Sequence, residues 1–274
     1  MTQAWYSETT PPEIPSPGLT GWLRIVPRAA VLLVILSVGL ALLVLLRLIE
    51  RPLNGLRRPV TPYITQGVCR LSLLIIGLRL MVHDRSKGSC GTIVANHASW
   101  LDIFVLNAVH RVYFVSKSEV ANWPFIGWLA RATGTVFIDR DRKTAARQRD
   151  QLRERLEAGH QLVLFAEGTS TDGRRVLPFK SSLFDAFLTS GRRAEIVPTS
   201  VVYRPHHKVD DRLYGWWGDM EFGSHLLRIL AMPHKGRVDV VLHPPIIIDE
   251  MADRKTLART AETAVRHGLE EYLT

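Results

Sequence analysis

Between Ala29 and Leu46 the chain runs through 18 residues, AAVLLVILSVGLALLVLL, with no charge and with Ser37 as the one polar break. No other stretch restricts the fold as strongly. At about 1.5 Å per residue, a helix of that length reaches roughly 27 Å, just enough to cross the hydrocarbon core of a bilayer. The core helix of a soluble protein seldom needs so long an uncharged run, so the expectation is a membrane-embedded helix. Arg24 and Arg28 precede the run, and Arg47, Arg51, Arg57 and Arg58 follow it, opposed by Glu50. The heavier basic flank is C-terminal, which predicts an inner-membrane protein whose main domain faces the cytoplasm. The same arginines suit anionic headgroups.

A second apolar segment, VCRLSLLIIGLRLMV at 68–82, is broken by Arg70 and Arg79. It is too short between charges for a second span and predicts an interfacial helix with snorkelling arginines. The first residues carry Pro11, Pro12, Pro15 and Pro17 and lack the basic start of a signal peptide. Three parts follow: a flexible tail over 1–28, a membrane-embedded and interfacial helical segment over 29–83, and a catalytic domain over 84–274.

The 274 residues, 46% of them hydrophobic, suffice for one substantial domain beside that segment. A formal charge of +9 and a pI of about 9.9 call for an anionic partner. Aromatic residues interleaved with basic ones are sparse and no nucleic-acid motif appears, which favours a membrane surface or an acidic carrier over nucleic acid. Cys69 and Cys90 offer neither a disulfide framework nor a metal cluster, which fits a reducing compartment.

From Cys90 onward short apolar runs alternate with helix-period stretches. Strands are expected at Thr92–Ala95, Arg111–Val115, Thr135–Ile138, Gln161–Phe165, Ile196–Tyr203 and Arg237–His243. Helices are expected from Ser99, over Arg140–Ala158, Ser181–Leu188 and Arg254–Leu273. This is an α/β pattern: a mixed, partly parallel central sheet with flanking helices, preceded by N-terminal membrane helices. The polar clusters fall in the loops, where open α/β sheets gather ligands at one edge.

The first cluster is the most informative. In CGTIVANHASWLDIFVL (90–106), Ser99-Trp100-Leu101-Asp102 is a helix-start signature that puts Asp102 in the first turn. His97 lies just before that start. Five residues inside a helix would turn the two side chains onto different faces. A histidine ahead of the cap escapes that limit, so an imidazole–carboxylate pair can form at the helix mouth. Such a pair serves as a general base with its orienting carboxylate.

The blocks NHASWLD, GTVFIDR, FAEGTSTDG and IVPTSVV occur in that order between Cys90 and Tyr203, and together they resemble the four motif blocks of the glycerolipid acyltransferases, the 1-acylglycerol-3-phosphate O-acyltransferase family. The resemblance implies acyl transfer from acyl carrier protein or coenzyme A thioesters to the free hydroxyl of a membrane lysolipid, with no cofactor and no metal. It makes His97 and Asp102 the catalytic pair. Asn96, Arg140, Glu167, Gly168, Thr169, Ser170 and Lys180 fall at or beside its substrate-binding positions. The acceptor it implies is 1-acyl-sn-glycerol 3-phosphate, giving phosphatidic acid. The third block departs from the family's FPEGTRS-like pattern, because Ala166 stands for the proline and Ser170 for the arginine expected to meet the acceptor phosphate. Arg174, Arg175 or Lys180 could take over that contact. If none does, a phosphate-free acceptor such as a lyso-ornithine lipid is the alternative.

Two further classes are open to test. A serine hydrolase needs G-x-S-x-G, and Gly168-Thr-Ser170-Thr-Asp172 lacks the second glycine. A non-catalytic membrane binder would explain the charge but would tolerate loss of His97. Elsewhere, Trp216 and Trp217 predict contact with the membrane interface, and Phe222–Met232 an amphipathic helix resting on the bilayer. His206, His207, His225 and His234 show no ligand spacing and read as ordinary loop or surface residues.

Overall fold

The computed structural model describes residues 5–7, 11–12, 17–123, 126–139, 145–184, 195–233, 235–248 and 253–273. The uncharged run forms a helix longer than expected: α1 spans Leu19–Asn54, so residues 19–28, read as tail, are helical. By length and composition α1 is a candidate membrane span, with a mean hydropathy of 3.1 over a window that is 17% buried. Leu33, Val34, Val38, Leu42 and Leu45 face away from the protein. Apolar surface on that scale is stable against lipid rather than water.

Both ends of α1 nevertheless touch the rest of the molecule. Near its start, Ile25 and Leu32 enter the core. Arg28 donates from Nη1 to the carbonyls of Leu230 (2.7 Å) and Met232 (2.8 Å). Near its end, the buried Glu50 carboxylate accepts the amides of Val60 (2.6 Å) and Thr61 (3.0 Å) and the Thr61 hydroxyl (2.7 Å). Glu50 is therefore the cap of the next helix, α2 (Thr61–Ile76). Midway, Gly39 provides the space into which Val68 of α2 fits.

At the end of α2, Gly77 takes φ +82° and bonds back to Leu73 and Leu74, a left-handed cap that favours glycine. The chain then leaves the helix and forms strand β1, Leu78–Asp84. The 68–82 segment is thus not one interfacial helix, and the sheet begins before residue 84. The residues LRLMVHD pair in register with a late strand instead.

That strand is β7 (Gly236–Leu242), and the others are β2 (Thr92–Ala95), β3 (Val112–Lys117), β4 (Val136–Ile138), β5 (Gln161–Phe165), β6 (Glu195–Arg204) and β8 (Ile246–Ile247). They form one sheet in the order β1-β7-β6-β2-β5-β3-β4, with β8 paired to the start of β6. From β6 to β4 all neighbours are parallel, while β7 runs antiparallel to β6 and carries β1 beside it. The mixed, mostly parallel sheet with flanking helices matches the alternation in the sequence.

Successive strand residues point to opposite faces, and each face is covered by helices. Ile93, Val201 and Val240 meet α1, α2, α3 (Leu101–Val109) and α6 (Phe222–Ala231). Their neighbours Val94 and Val202 meet α5 (Ala145–Glu157) and α7 (Arg254–Leu273) through Leu152, Ala261, Val265 and Leu269. A short helix, α4 (Ile126–Thr133), follows β3. The helix expected at Phe222–Met232 is present as α6, but Ile229 and Leu230 are buried in the core beside α1 rather than laid on a membrane.

Candidate active site

β2 ends at Ala95, in the middle of the sheet, and the chain turns there into α3. Asn96 is fully buried. Its amide donates to the Val201 carbonyl (3.0 Å), and its carbonyl accepts the Val201 N–H (2.8 Å). A side chain engaged in this way braces β2 against β6. The next residue, His97, is one-fifth exposed and stacks on Phe165 at the end of β5, ring centroids 4.0 Å apart.

The expected pair is formed. His97 Nδ1 lies 2.7 Å from Asp102 Oδ2. The same oxygen accepts the N–H groups of Ala98 (2.8 Å) and Ser99 (3.0 Å), so Asp102 caps the start of α3 while holding the imidazole. Its other oxygen accepts the Tyr203 hydroxyl at 2.7 Å. Burial pushes Tyr203 well above the usual phenol range, with the Asp102 charge acting in the same direction, so it stays a donor. With Nδ1 facing Asp102, Nε2 is the ring nitrogen left for a reactant.

Glu167 holds the other side of the turn. It accepts the His97 amide (2.7 Å) through one oxygen and the Leu177 amide (2.8 Å) through the other. Burial pushes its carboxyl up to about 8, against these two donors, which favour the charged form. With both oxygens engaged, it shapes the loop around His97. Gly168 sits at φ +70° with the Lys180 side chain over it, and its carbonyl accepts the Lys117 ammonium (2.7 Å). Thr169 and Ser170 are partly exposed beside it, and Thr171 N–H donates to the His97 carbonyl (2.9 Å). Arg140 and His234 lie outside the described residues.

Other contacts were not visible in the sequence. Trp100 Nε1 donates to His225 Nδ1 (3.0 Å), and His225 Nε2 faces the Leu213 carbonyl (3.2 Å). His225 is thus fully buried, contrary to its reading as a loop or surface residue, and burial lowers it to about 4. It ties α6 and the segment before it to the mouth of α3. Trp217 is buried and Trp216 donates to the Met220 carbonyl (2.8 Å), so this pair packs the insert and does not present two rings to a membrane. A serine–histidine pair, Ser200 and His243 at 2.9 Å, lies in the opposite layer. There the Ser200 hydroxyl donates to the Val265 carbonyl (2.8 Å), so its proton is committed to structure.

A histidine held by a buried carboxylate at the carboxyl ends of parallel strands is an arrangement suited to general-base chemistry. The comparisons with known proteins narrow that chemistry. The chain belongs to the acyltransferase family, whose sequence profile matches residues 82–202. It is 50% identical to a lyso-ornithine lipid O-acyltransferase of Rhodobacter capsulatus over 97% of this chain and 96% of that one. A protein of the same name from Brucella abortus is 38% identical over 80% of this chain and 85% of its own. In fold the chain is similar to the crystal structure of the 1-acyl-sn-glycerophosphate acyltransferase PlsC from Thermotoga maritima, with a TM-score of 0.63, 18% identity, and coverage of 92% of this chain and 97% of that one.

Proposed function

We propose that this enzyme moves a fatty acyl group from a thioester to the hydroxyl of a lyso-ornithine lipid, in preference to 1-acyl-sn-glycerol 3-phosphate. The observation that carries the acceptor is the state of the two arginines that follow Ser170, Arg174 and Arg175. Where the family pattern has an arginine, this chain has Ser170, and the arginines that could replace it are already paired. Arg174 lies 3.1 Å from Asp211, and Arg175 lies 3.0 Å from the buried Asp172. A phosphate entering there would compete with carboxylates for both guanidiniums. The names of the relatives that match most of the chain at 50% and 38% identity support the same acceptor.

In the proposed reaction the acceptor hydroxyl attacks the thioester carbonyl while His97 Nε2 takes its proton. The C–O bond forms and the carbonyl electrons move to oxygen. Asp102 stabilises the imidazolium through Nδ1–H and fixes the tautomer that leaves Nε2 as the base. The oxyanion then collapses, the C–S bond breaks, and the imidazolium returns its proton to the departing thiolate. Acyl carrier protein and coenzyme A both present such a thioester, and the basic surface suits the acidic carrier.

The setting we propose is the cytoplasmic face of the inner membrane. α1 lies against the domain at both ends and offers its outer side to lipid, which suits a helix embedded from one side better than one that crosses. An acceptor panel tests the assignment. Lyso-ornithine lipid and lysophosphatidate are each offered with acyl carrier protein and coenzyme A thioesters. A higher kcat/KM for lyso-ornithine lipid is expected, and a preference for lysophosphatidate would overturn it.

A further inference from the structure

At the amino ends of the parallel strands, the opposite end from His97, a small cleft opens between the α1–α2 turn, α3 and the start of β3. It is lined by Arg58, Thr65, Asn107, Tyr113 and Thr133. Arg58 reaches in from the turn. Its Nη1 donates to the Ala132 carbonyl (3.0 Å), its plane lies against Gly134, and its Cζ sits 5.8 Å from the Tyr113 ring centre. Its Nε is buried and, among the described residues, has no hydrogen-bond partner.

The charges around it leave this cation uncompensated. Arg47 and Arg155 are its like-charged neighbours, and burial, helped by both, lowers Arg58 to about 10. The nearby acid, Glu50, is already engaged by Val60, Thr61 and Arg47. A buried guanidinium without a counter-ion is costly, and an anion seated beside it removes that cost. The surface next to the cleft is apolar and open: Leu53 is 75% exposed and Tyr63 57%, continuing the outer side of α1. Exposed apolar side chains interleaved with Arg51, Arg57 and Arg58 match the boundary between acyl chains and headgroups.

We propose that this cleft is a binding site for a phosphate-type anion, presented by the headgroup of an anionic membrane lipid at the α1–α2 turn. The Arg58 fork and the Thr65 hydroxyl supply the donors that phosphate oxygens require, while Asn107, whose amide donates to the Ile103 carbonyl (3.0 Å), lines the wall. The site is separate from the one that binds the acceptor and does not depend on which acceptor is used.

The full-length protein is placed in nanodiscs of phosphatidylcholine alone or with added phosphatidylglycerol, and its melting temperature is measured. Ligand bound to the native state stabilises it, so the anionic lipid should raise the wild-type midpoint by at least about 2 °C. Arg58→Gln should lose that rise. Thr65→Leu, which fills the cleft but keeps every charge and the Arg58–Ala132 bond, should lose it too, and it decides the matter if Arg58→Gln does not fold. Arg259→Gln removes the same charge from the exposed side of α7, away from the cleft, and should keep the rise. A rise retained in Arg58→Gln or Thr65→Leu, or lost equally in Arg259→Gln, would overturn the site. A matching rise on adding inorganic phosphate to the detergent-solubilised protein, abolished by Arg58→Gln, would overturn the lipid source.

Discussion

Asp102 receives four donors, three on the oxygen that faces His97 and one, from Tyr203, on the other. A carboxylate held so firmly fixes both the tautomer and the direction of the imidazole. His97→Ala should fold as the wild type does and lose turnover by about 10²–10⁴-fold, the usual contribution of a general base. Asp102→Asn should cost a similar factor, because the amide stabilises the wrong tautomer; single-turnover rates with matched circular dichroism check both. Tyr203→Phe removes one hydrogen bond to a buried charge, about 1.5–3 kcal/mol. It leaves the Asp102 charge more concentrated on His97, so the acidic limb of kcat/KM should move to higher pH. An unchanged pH profile would reduce Tyr203 to packing. His97 and Asp102 were legible because the pair lies only five positions apart in the sequence. Tyr203 was not, since it arrives from 101 positions away. Its one visible sign was a hydroxyl at the end of an apolar strand.

Among the elements, the parallel strands were the easiest to read, because continuous apolar runs such as Gln161–Phe165 have no other stable place. β1 was missed for a physical reason: Leu78–Val82 continues an apolar helix in composition, and Gly77 alone separates the two. Asn96 and Glu167 stand at or beside the substrate-binding positions that the family resemblance implies, and a turn role binding backbone amides is equally open for Glu167; here both side chains bond to backbone groups of distant segments. Packing between α7 and β6 is close enough to be tested. At Gly268 an added Cβ would run into Ser200 and His243, both buried. Gly268→Ala should therefore force α7 outward and destabilise the domain by about 1–3 kcal/mol, read as a lower midpoint in a denaturant melt. Retention of wild-type stability would mean that α7 can shift freely.

At the scale of the whole molecule, stability should depend on pH through its buried imidazoles. His160, His225 and His243 are each lowered to about 4, by burial first. A histidine depressed in the folded state contributes stability that is complete above its unfolded value near 6.5 and is lost as pH falls through about 4. On the order of 1–3 kcal/mol each is at stake. Glu167 has the opposite sign: its contribution is present below about 4.5 and is lost as pH rises toward 8. Thermal midpoints should therefore fall on the acid side, and His225→Gln should flatten that fall; an identical acid limb in the variant would sink the assignment. The contact between α1 and α6 has a further consequence, for the order of events during synthesis. Arg28 and its partner Leu230 are 202 positions apart. At about 5–20 residues per second, the ribosome needs roughly 10–40 s to make the second after the first. For that interval the newborn α1 has no α6 to rest on, so lipid or a chaperone must hold it first.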